Sequence, residues 1–592
     1  MKFASLSGLV LALFATPVLA QAPASAAPHN IIIFVADGLR YGSVEPNNMP
    51  NMFKLKTEGV DFTNSHSLFP TITTVNASAI ATGHYIGDTG DFGNSIYTAT
   101  PMLTANGAPI AGLENNNVLA EMNQKFGGNY LNEETIIARA RAQGFATAVI
   151  GKLGPTRILD STAAADGSET MVLDDTTGRE GGIGLPGWFT REMKAAFVGS
   201  STPAQQVPNI PQEVYLMKAT TRIVLPHFKE TGKPFAVLFW SRDPDMSQHN
   251  TNDSVGEYEP GINGPSGKAG TRDADTMLGE LRQALKEQGL DKTTDIFITA
   301  DHGFLTTSHA STTSPSAKTG DAPLRDLSNG FLATDLAHAL GMRLFNPSRN
   351  FAGVDYGAGA VLEGGMGLLG DAKNPDAVVM ANGGADLIYL PKANAKELTG
   401  RIVDFLTTQD YVSGIFVNDG LGKFAGTLPM SAVNLIGSAR TPVPSIYVSF
   451  RSFAGECANK LQCGVGVHDT ERLTGQGSHG SLSRAETRNF MAAIGPDFKA
   501  GFADPAPISN ADIAPTLAKA AGITLAPKGK LRGRVISEAL VGGAAVKASK
   551  RTIQSEPAAN GMRTLLNLQE VGEARYFDAA GSPGKTVGLT LP

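Results

Sequence analysis

Six carboxylate and imidazole side chains of this chain could bind metal ions together. They are Asp37, Asp245, His249, Asp301, His302 and His479. Carboxylate oxygens and imidazole nitrogens form a ligand set that suits zinc, and the three histidines favour zinc over manganese. Any one of these residues alone would more often be structural, but all six in the architecture predicted below indicate a metal centre.

Most of the six follow apolar runs that have the length of buried strands. Asp37 ends the run at residues 30–36. Asp245 follows the run at residues 235–240, and His249 comes four positions later. A carboxylate and an imidazole with this spacing can converge on one metal ion.

Asp301 and His302 close another apolar run, at residues 295–299, and a glycine follows them. Gly303 permits the sharp backbone turn that would let both side chains reach one metal ion. His479 lies between glycines in a Gly-Ser-His-Gly sequence, as a ligand on a loop would. We therefore expect the six side chains to meet at one edge of a sheet.

A hydroxyl group is predicted near the same edge. The sequence Phe69-Pro-Thr-Ile-Thr-Thr-Val-Asn76 precedes a helical pattern at residues 77–82. A hydroxyl at a helix start lies beside the positive end of the helix dipole, which favours an alkoxide or a bound phosphate. An ordinary threonine cap is the alternative interpretation.

The elements that would position these residues alternate between strands and helices. Strands are predicted at residues 30–36, 145–150, 235–240 and 295–299, and amphipathic helices at residues 133–143, 212–229 and 271–288. This alternation predicts a mostly parallel sheet with helices on both faces, which binds ligands beyond the carboxyl ends of its strands. The expected fold is α/β, a three-layer α/β/α sandwich with a mostly parallel central sheet and an inserted cap region.

The pattern changes after His302. Residues 304–375 are rich in Gly, Ser, Thr and Asp and predict loops with one helix at residues 332–340. Further on, strands are predicted at residues 377–380, 387–390, 414–417 and 444–450, and helices at residues 393–407, 483–493 and 508–522. The tail from about residue 541 has no predicted role.

These patterns divide the chain into five parts. The predicted division is a signal peptide at residues 1–20, a first part of the core at 21–303, an insertion or cap at 304–443, a second part of the core at 444–540 and a tail at 541–592. Hydrophobic residues make up 42% of the chain, which excludes a disordered protein. The net charge is −6, which gives no whole-chain reason to bind nucleic acid or an anionic membrane.

The first residues have the pattern of a secretory signal peptide. A positive start at Lys2 precedes an apolar stretch at residues 9–14 and a small-residue cleavage pattern at residues 18–20. The apolar stretch is too short to cross a bilayer, so no stable membrane insertion is expected. We expect a mature chain that starts near Gln21 and is periplasmic or secreted; the alternative is an uncleaved amino-terminal anchor.

The chain has two cysteines, Cys457 and Cys463. In an exported protein such a close pair predicts a disulfide, which would stabilise so short a loop by only about 2 kcal/mol. A cysteine metal site is less expected, because no second pair completes four ligands.

Taken together, these motifs resemble the alkaline phosphatase superfamily, in particular its phosphodiesterase/nucleotide pyrophosphatase branch and the threonine-nucleophile alkaline phosphatases. The resemblance runs from residue 30 to about residue 540 and is weak between His302 and His479. Residues 511–517 and 531–535 resemble carboxyl-terminal core segments of the family, which carry packing and no chemistry.

The resemblance implies a cofactor of two zinc ions per chain. One zinc would be surrounded by Asp37, Thr73, Asp301 and His302, and the other would be bound by Asp245, His249 and His479. Thr73 matches the family nucleophile, although Thr71 and Thr74 are close enough in sequence to remain alternatives. Asn94 resembles the asparagine that donates to a phosphoryl oxygen.

The mechanism implied by this resemblance is an in-line displacement between two zinc ions about 4 Å apart. Thr73 would attack phosphorus, and water would hydrolyse the resulting phosphothreonine without a general-acid side chain. The expected partners are small phosphorylated substrates, with nucleotides bound only as substrates. The sequence does not predict the oligomeric state.

One basic residue bears on the choice between monoesters and diesters. A monoester leaves more negative charge on its non-bridging oxygens and profits from an added cation. Lys152 resembles the lysine of the Lys-x-Arg pair of threonine-type alkaline phosphatases, but Gly154 stands at the arginine position. Arg157 would either substitute for that arginine or only cover the surface. Phosphomonoesterase is the leading prediction, and phosphodiesterase or nucleotide pyrophosphatase is the alternative.

Two further classes share this scaffold. A sulfatase needs a Cys or Ser modified to formylglycine, and both cysteines lie far from the nucleophile position. A secreted binding protein without catalysis is expected to lack one or more of the metal ligands, whereas all six are present. Neither class is therefore favoured.

Overall fold

The computed structural model describes residue 1 and residues 29–196, 199–317, 325–356 and 360–591. Apart from Met1, the predicted signal peptide lies outside these residues. Within the described ranges, no helix is long and apolar enough to cross a membrane.

The strands are, in chain order, β1 (Asn30–Ala36), β2 (Val60–Phe62), β3 (Ser65–His66), β4 (Ser95–Tyr97), β5 (Ile110–Gly112), β6 (Ala146–Gly151), β7 (Met171–Asp174), β8 (Phe235–Ser241), β9 (Thr294–Thr299), β10 (Leu305–Ser308), β11 (Ala310–Ser311), β12 (Arg325–Asp326), β13 (Leu344–Asn346), β14 (Ala352–Val354), β15 (Gly367–Leu369), β16 (Ala377–Asn382), β17 (Ala385–Tyr389), β18 (Val412–Val417), β19 (Leu428–Pro429), β20 (Ile446–Phe450), β21 (Ser452–Ala454), β22 (Gly464–Val467), β23 (Gly477–Ser478), β24 (Met491–Ile494), β25 (Phe502–Asp504), β26 (Ile508–Ser509), β27 (Ser549–Gln554), β28 (Leu565–Val571) and β29 (Ala574–Gly581).

The α-helices are α1 (Pro50–Glu58), α2 (Thr73–Thr82), α3 (Ile86–Thr89), α4 (Asn116–Lys125), α5 (Ile136–Ala142), α6 (Pro155–Leu159), α7 (Gly187–Ala195), α8 (Ile210–Ala219), α9 (Leu225–Thr231), α10 (Asp245–His249), α11 (Pro265–Glu287), α12 (Phe331–Leu340), α13 (Ala395–Thr407), α14 (Arg484–Thr487) and α15 (Ile513–Ala521). A π-helical segment, Thr220–Val224, joins α8 to α9.

The central sheet has eight strands in the order β25-β2-β24-β9-β1-β8-β6-β7. β1 pairs in parallel with both β8 and β9, and β6 pairs in parallel with β8 and β7. Only β24 runs against its neighbours, β2 and β9. The predicted mostly parallel α/β sheet is confirmed.

Alternating side chains of β1 explain why helices cover both faces of this sheet. Ile31 and Ile33 join a core that contains residues of α2, α4, α5 and α15. Ile32 and Phe34 join a second core, which contains residues of α1, α7, α8 and α11. Because successive side chains of a strand point to opposite faces, a strand that is apolar throughout needs a helical layer on each side.

The segment after His302 builds a second, largely antiparallel sheet. Its order is β14-β13-β15-β16-β17-β20-β18-β19, and it has a core of its own with α12 and α13. The strand predicted at residues 444–450 is present as β20, and it pairs with β17 and β18 of this second sheet. The predicted helices at residues 332–340 and 393–407 correspond to α12 and α13.

The helix predicted at residues 483–493 is wrong for most of its length. A short helix, α14, ends at Thr487, and Met491–Ile494 is the strand β24. The apolar residues of β24 pair with β9 on one side and β2 on the other. Pairing inside the sheet overrides the local helical pattern, because a short apolar run suits either element.

Two further features complete the fold. The tail, which has no predicted role, forms an antiparallel sheet of β27, β28 and β29, and apolar residues of β28 and β29 join the first core. Cys457 and Cys463 are joined in the predicted disulfide, in the loop between β21 and β22. The disulfide therefore holds one loop rather than linking distant parts of the fold.

Candidate functional site

Three adjacent strands of the central sheet carry most of the predicted site residues. β8, β1 and β9 are neighbours and run in parallel, so their carboxyl ends meet at one edge. Asp37 follows β1 directly, Asp245 begins α10 shortly after β8, and Asp301 follows β9. The parallel register therefore brings these three carboxylates together.

Asp37 is fully buried and held from two directions. Its Oδ2 accepts hydrogen bonds from Lys152 Nζ and from Trp240 Nε1, each at 2.8 Å. Its Oδ1 lies 3.7 Å from His302 Nε2. One oxygen is thus fixed by donors, while the other faces the imidazole.

Asp301 and His302 are also fully buried. The backbone N–H of Gly38 donates to Asp301 Oδ1 at 3.0 Å, which fixes that carboxylate. The other oxygen, Oδ2, lies 3.1 Å from His302 Nε2. The adjacent acid and imidazole therefore converge, as the sequence predicts.

Asp245, His249 and His479 form a second group. Asp245 Oδ1 lies 3.2 Å from His249 Nε2 and 3.5 Å from His479 Nε2. The ligand atoms of these three residues all lie within 4.8 Å of one another, and so do those of Asp37, Asp245 and His302. Asp245 therefore belongs to both groups, whereas the resemblance assigned it to one.

The three histidines share one orientation. Nδ1 of His249 donates to the Gly477 carbonyl at 2.8 Å, Nδ1 of His302 donates to the Gly303 carbonyl at 2.9 Å, and Nδ1 of His479 donates to the Thr71 carbonyl at 2.7 Å. A carbonyl can only accept, so each ring carries its proton on Nδ1 and, when neutral, turns the lone pair of Nε2 toward the carboxylates. This arrangement is usual for metal-binding histidines.

Three buried carboxylate oxygens test whether a cation fits here. Asp37 Oδ1, Asp245 Oδ1 and Asp301 Oδ2 have no hydrogen-bond partner among the described residues. Each instead faces an imidazole Nε2, so that two lone pairs meet unless a positive charge lies between them. The donor set and these unpaired oxygens fit divalent cations of the zinc type.

The carboxylates and imidazoles of the site lie close together, and their pKa values are shifted by one another and by burial. Burial and the neighbouring Asp301 raise the pKa of the Asp37 carboxyl well above its usual range. Burial alone would lower the pKa of His302, but Asp301 and Asp37 raise it to about 9. Burial and the adjacent His302 hold the pKa of His479 well below its usual value. These shifts show that the carboxylates and imidazoles of the site are close enough to change one another's charge.

Thr73 is the first residue of α2, and its side chain contacts His302 and Lys152. Thr73 Oγ1 lies 3.3 Å from His302 Nε2 and 3.3 Å from Lys152 Nζ. The residue is 1% exposed, so its hydroxyl lies in a buried, highly polar environment. A hydroxyl there is suited to act on a phosphoryl group bound at the same place.

The neighbouring threonines point elsewhere. The Thr71 hydroxyl donates to Glu486 and to the Ser481 carbonyl, at 2.5 and 2.8 Å. The Thr74 hydroxyl donates to Asp91 Oδ1 at 2.9 Å. Both hydroxyls are committed to structural hydrogen bonds, which distinguishes Thr73 from its neighbours.

Asn94 lies beside the start of α2. Its Oδ1 accepts a hydrogen bond from the Thr74 backbone N–H at 3.0 Å. This contact fixes the side chain and leaves its amide nitrogen as the donor group. The residue is half-buried, so part of its side chain remains accessible beside the helix start.

Lys152 lies just after β6 and is surrounded by carboxylates. Its Nζ lies 2.8 Å from Asp37, 3.2 Å from Glu114 and 3.6 Å from Asp245. Burial alone would lower the pKa of Lys152, but Asp37 and Glu114 raise it well above its usual value. The ammonium is therefore charged and lies within hydrogen-bonding distance of Thr73 Oγ1.

Arg157 does not take part in the site. Its side chain is buried and donates to the carbonyls of Asp160 and Ala163, at 3.3 and 2.6 Å. It neither replaces the missing arginine nor covers the surface, because those carbonyls hold it inside the turn after α6. Gly154 has φ +91°, a conformation that favours glycine.

A turn of the second sheet contacts the site from outside the core. The Gly384 backbone N–H donates to the His479 carbonyl at 2.7 Å. Asn382 Oδ1 accepts from the backbone N–H of Ser95, next to Asn94, at 3.2 Å. The β16–β17 turn thus joins the two segments that carry His479 and Asn94.

Sequence reasoning missed two residues of the site. Trp240 appears in the sequence only as the end of an apolar run, yet its indole N–H holds Asp37. Glu114 has no motif of its own and contacts Lys152 only because the chain folds back between distant segments. Neither residue offers a spacing signal that could have identified it.

Comparisons with known proteins bear on this geometry. Residues 31–322 match the family model described as type I phosphodiesterase / nucleotide pyrophosphatase. The match includes Asp37, Thr73 and Asp245 and ends before His479, which is placed by the structure alone. A search of curated proteins finds no match.

Proposed function

The chain belongs to the type I phosphodiesterase/nucleotide pyrophosphatase family of phosphoester hydrolases, within the alkaline phosphatase superfamily, and we propose that it acts through Thr73. The observation that carries this proposal is the position of the Thr73 hydroxyl. It lies 3.3 Å from both His302 Nε2 and Lys152 Nζ, beside two groups of metal-type ligands.

Two zinc ions per chain are the proposed cofactor. One would be held by Asp37, Thr73, Asp301 and His302, and the other by Asp245, His249 and His479. The unpaired carboxylate oxygens and the shared orientation of the imidazoles support this assignment. When bound, such ions supply Lewis-acid stabilisation to the oxygens that attack and leave phosphorus.

The residues of the chain carry the reaction in two displacements. Thr73 Oγ attacks phosphorus, the bond from phosphorus to the leaving alcohol oxygen breaks with its electron pair, and a phosphothreonine forms. The Lys152 ammonium beside Oγ favours the alkoxide by its charge. Water then attacks the same phosphorus, and the bond from phosphorus to Thr73 Oγ breaks. Phosphate leaves, or a phosphate monoester when the substrate is a diester, and a proton from the water restores the Thr73 hydroxyl. The Asn94 amide donates to a non-bridging oxygen in both steps.

Phosphate monoesters are the substrate class that Lys152 supports. A monoester dianion carries an extra negative charge on its non-bridging oxygens. The Lys152 ammonium lies next to Thr73 Oγ1 and would therefore be close to those oxygens during attack. On this view the protein is an alkaline phosphatase-like phosphomonoesterase.

A phosphodiesterase or nucleotide pyrophosphatase is the second candidate, and a specific contact favours it. Glu114 lies 3.2 Å from Lys152 Nζ and offsets its charge, and residue 154, two positions after that lysine, is a glycine rather than an arginine. The matched family fits a phosphodiesterase or nucleotide pyrophosphatase at least as well as it fits a phosphomonoesterase.

The test compares kcat/KM on p-nitrophenyl phosphate and on bis-p-nitrophenyl phosphate, which share a leaving group, for the wild type and Lys152→Ala. Phosphomonoesterase function predicts a preference for the monoester that falls at least about tenfold without Lys152. A preference for the diester that Lys152→Ala leaves unchanged would establish the second candidate instead.

Export to the periplasm or medium is proposed from the amino-terminal pattern and is supported by the disulfide between Cys457 and Cys463. The mature amino terminus should map close to Gln21. An intact Met1 on periplasmic protein would refute cleavage.

A further inference from the structure

Glu114 is the acidic neighbour of Lys152 that lies outside the candidate metal ligands. Asp37 and Asp245 also surround the ammonium, but both belong to the groups that could bind cations. Glu114 precedes α4, its side chain is 37% exposed, and its Oε1 lies 3.2 Å from Lys152 Nζ. Its partly exposed side chain therefore reaches the buried ammonium from the surface of the protein.

Gly154 explains why a carboxylate occupies this position. A Cβ at residue 154 would lie 2.7 Å from Glu114 Cα and within 3.2 Å of its Cβ and Cγ. The backbone and stem of Glu114 fill the space that a side chain at 154 would need. An arginine at residue 154 would therefore clash with Glu114. The neighbour of Lys152 at this place is instead the acidic residue Glu114, from another segment of the chain.

A second cation, Arg242, lies near Glu114 but is paired with another carboxylate. Arg242 is close enough for Glu114 to raise its pKa, although burial alone would lower it. However, the Arg242 guanidinium is paired with Asp175 at 2.5 Å. Lys152 is therefore the cation that Glu114 contacts directly.

We propose that Glu114 determines the preference between phosphate monoesters and diesters by opposing the charge of Lys152 next to the phosphoryl site. The proposal rests on the proposed phosphoester hydrolysis, but not on which ester is preferred. A monoester dianion meets the repulsion of this carboxylate with two charges, whereas a diester meets it with one. Glu114 thereby lowers the activity on monoesters more than the activity on diesters.

The test is Glu114→Gln, which keeps the shape of the side chain and removes its charge. At about pH 8 a phosphate monoester is a dianion, because its second pKa is about 6. We expect kcat/KM for p-nitrophenyl phosphate to rise about tenfold and that for bis-p-nitrophenyl phosphate to change less than about twofold, since the pair is partly screened by solvent. Glu134→Gln, on an exposed residue paired with Arg139, is the matched control and should change neither value.

A second measurement separates charge from structure. Inorganic phosphate should inhibit Glu114→Gln at about tenfold lower concentration than it inhibits the wild type, because the bound dianion meets less repulsion. In a Lys152→Ala background the repulsion between Glu114 and the dianion remains, so Glu114→Gln should still raise the ratio of monoester to diester activity. Loss of the shift in that background would show that Glu114 acts only by positioning Lys152 and would overturn the assignment.

The outcomes distinguish this inference from the proposed function. If Thr73-dependent hydrolysis is observed but Glu114→Gln leaves the ratio of the two activities unchanged, the role of Glu114 is wrong and the function stands. If neither ester is hydrolysed, or if Thr73→Ala is as active as the wild type, the proposed function itself fails.

Discussion

The imidazole rings of His302 and His479 stack face to face, with centroids 3.6 Å apart and an angle of 17° between their planes. His302 follows β9 of the central sheet, whereas His479 directly follows β23, which belongs to a separate four-stranded sheet. The stack therefore joins the two candidate ligand groups into one cluster. Removal of a ring from either group should disturb the other.

Thr73→Ala should abolish turnover while leaving the cluster intact. The variant removes the attacking oxygen, so kcat should fall by at least about a thousandfold, whereas Thr73→Ser keeps an oxygen and should retain measurable activity. The measurement is kcat on the better aryl ester, with metal content per chain from elemental analysis as the control. Full activity of Thr73→Ala would show that another hydroxyl attacks.

His249→Ala should reduce both metal content and turnover. His249 is the most exposed of the three histidines, with 16% of its side chain accessible, so its loss should be tolerated by the fold. We expect the variant to bind about one ion fewer per chain and to lose at least about a hundredfold in kcat/KM. His338→Ala, an exposed imidazole on α12, is the control and should retain both. Equal metal content in the two variants would contradict the proposed site.

Gly154→Ala should destabilise the protein more than Gly144→Ala. Both glycines have φ +91°, so both substitutions carry backbone strain, but Gly144 has no atom within 4 Å of the added methyl group. Gly154→Ala adds a clash with Glu114, and we expect an excess cost of about 1–3 kcal/mol in the free energy of unfolding. Urea denaturation measures the difference. An equal loss in the free energy of unfolding for the two variants would show that Glu114 moves aside without strain.

Asp295→Asn should change the pH dependence of stability. Burial and its neighbour Asp497 raise the pKa of Asp295 to about 8. The unfolded value is about 3.9, so the native state holds an extra proton between these values and stability falls as pH rises through that window. An asparagine cannot titrate, so the variant should gain in melting temperature relative to the wild type as pH rises.

The measurement for Asp295→Asn is a series of melting temperatures from acid to alkaline pH. Asp291→Asn, on an exposed residue just before the same strand, is the control and should follow the wild-type curve. A constant difference between Asp295→Asn and the wild type across the series would contradict the predicted titration.

The sequence predicts the central sheet and the residues at its edge for the same reason. Parallel strands that are apolar throughout must be buried on both faces, and their carboxyl ends must meet, so Asp37 and Asp301 can be placed together without coordinates. The order of the strands is harder to predict. The sequence of β24 is also compatible with a helix, because a short apolar run suits either element, and its pairing with β9 shows that it is a strand.

The remaining part of the site depends on contacts between distant segments. Glu114 reaches Lys152 through packing against Gly154, and no spacing rule links a residue before α4 to one after β6. The distinction among Thr71, Thr73 and Thr74 depends in the same way on partners such as Glu486 and Asp91. Hydrogen bonds of this kind follow from the tertiary structure alone.

The β16–β17 turn connects the second sheet to the segments that carry His479 and Asn94. Its Gly383 has no room for a side chain, because an added Cβ would lie 2.3 Å from the His479 carbonyl oxygen. Substitution of this turn is therefore restricted to residues that leave the His479 backbone in place. Engineered variants that graft a foreign hairpin here should shift His479 and Asn94 together.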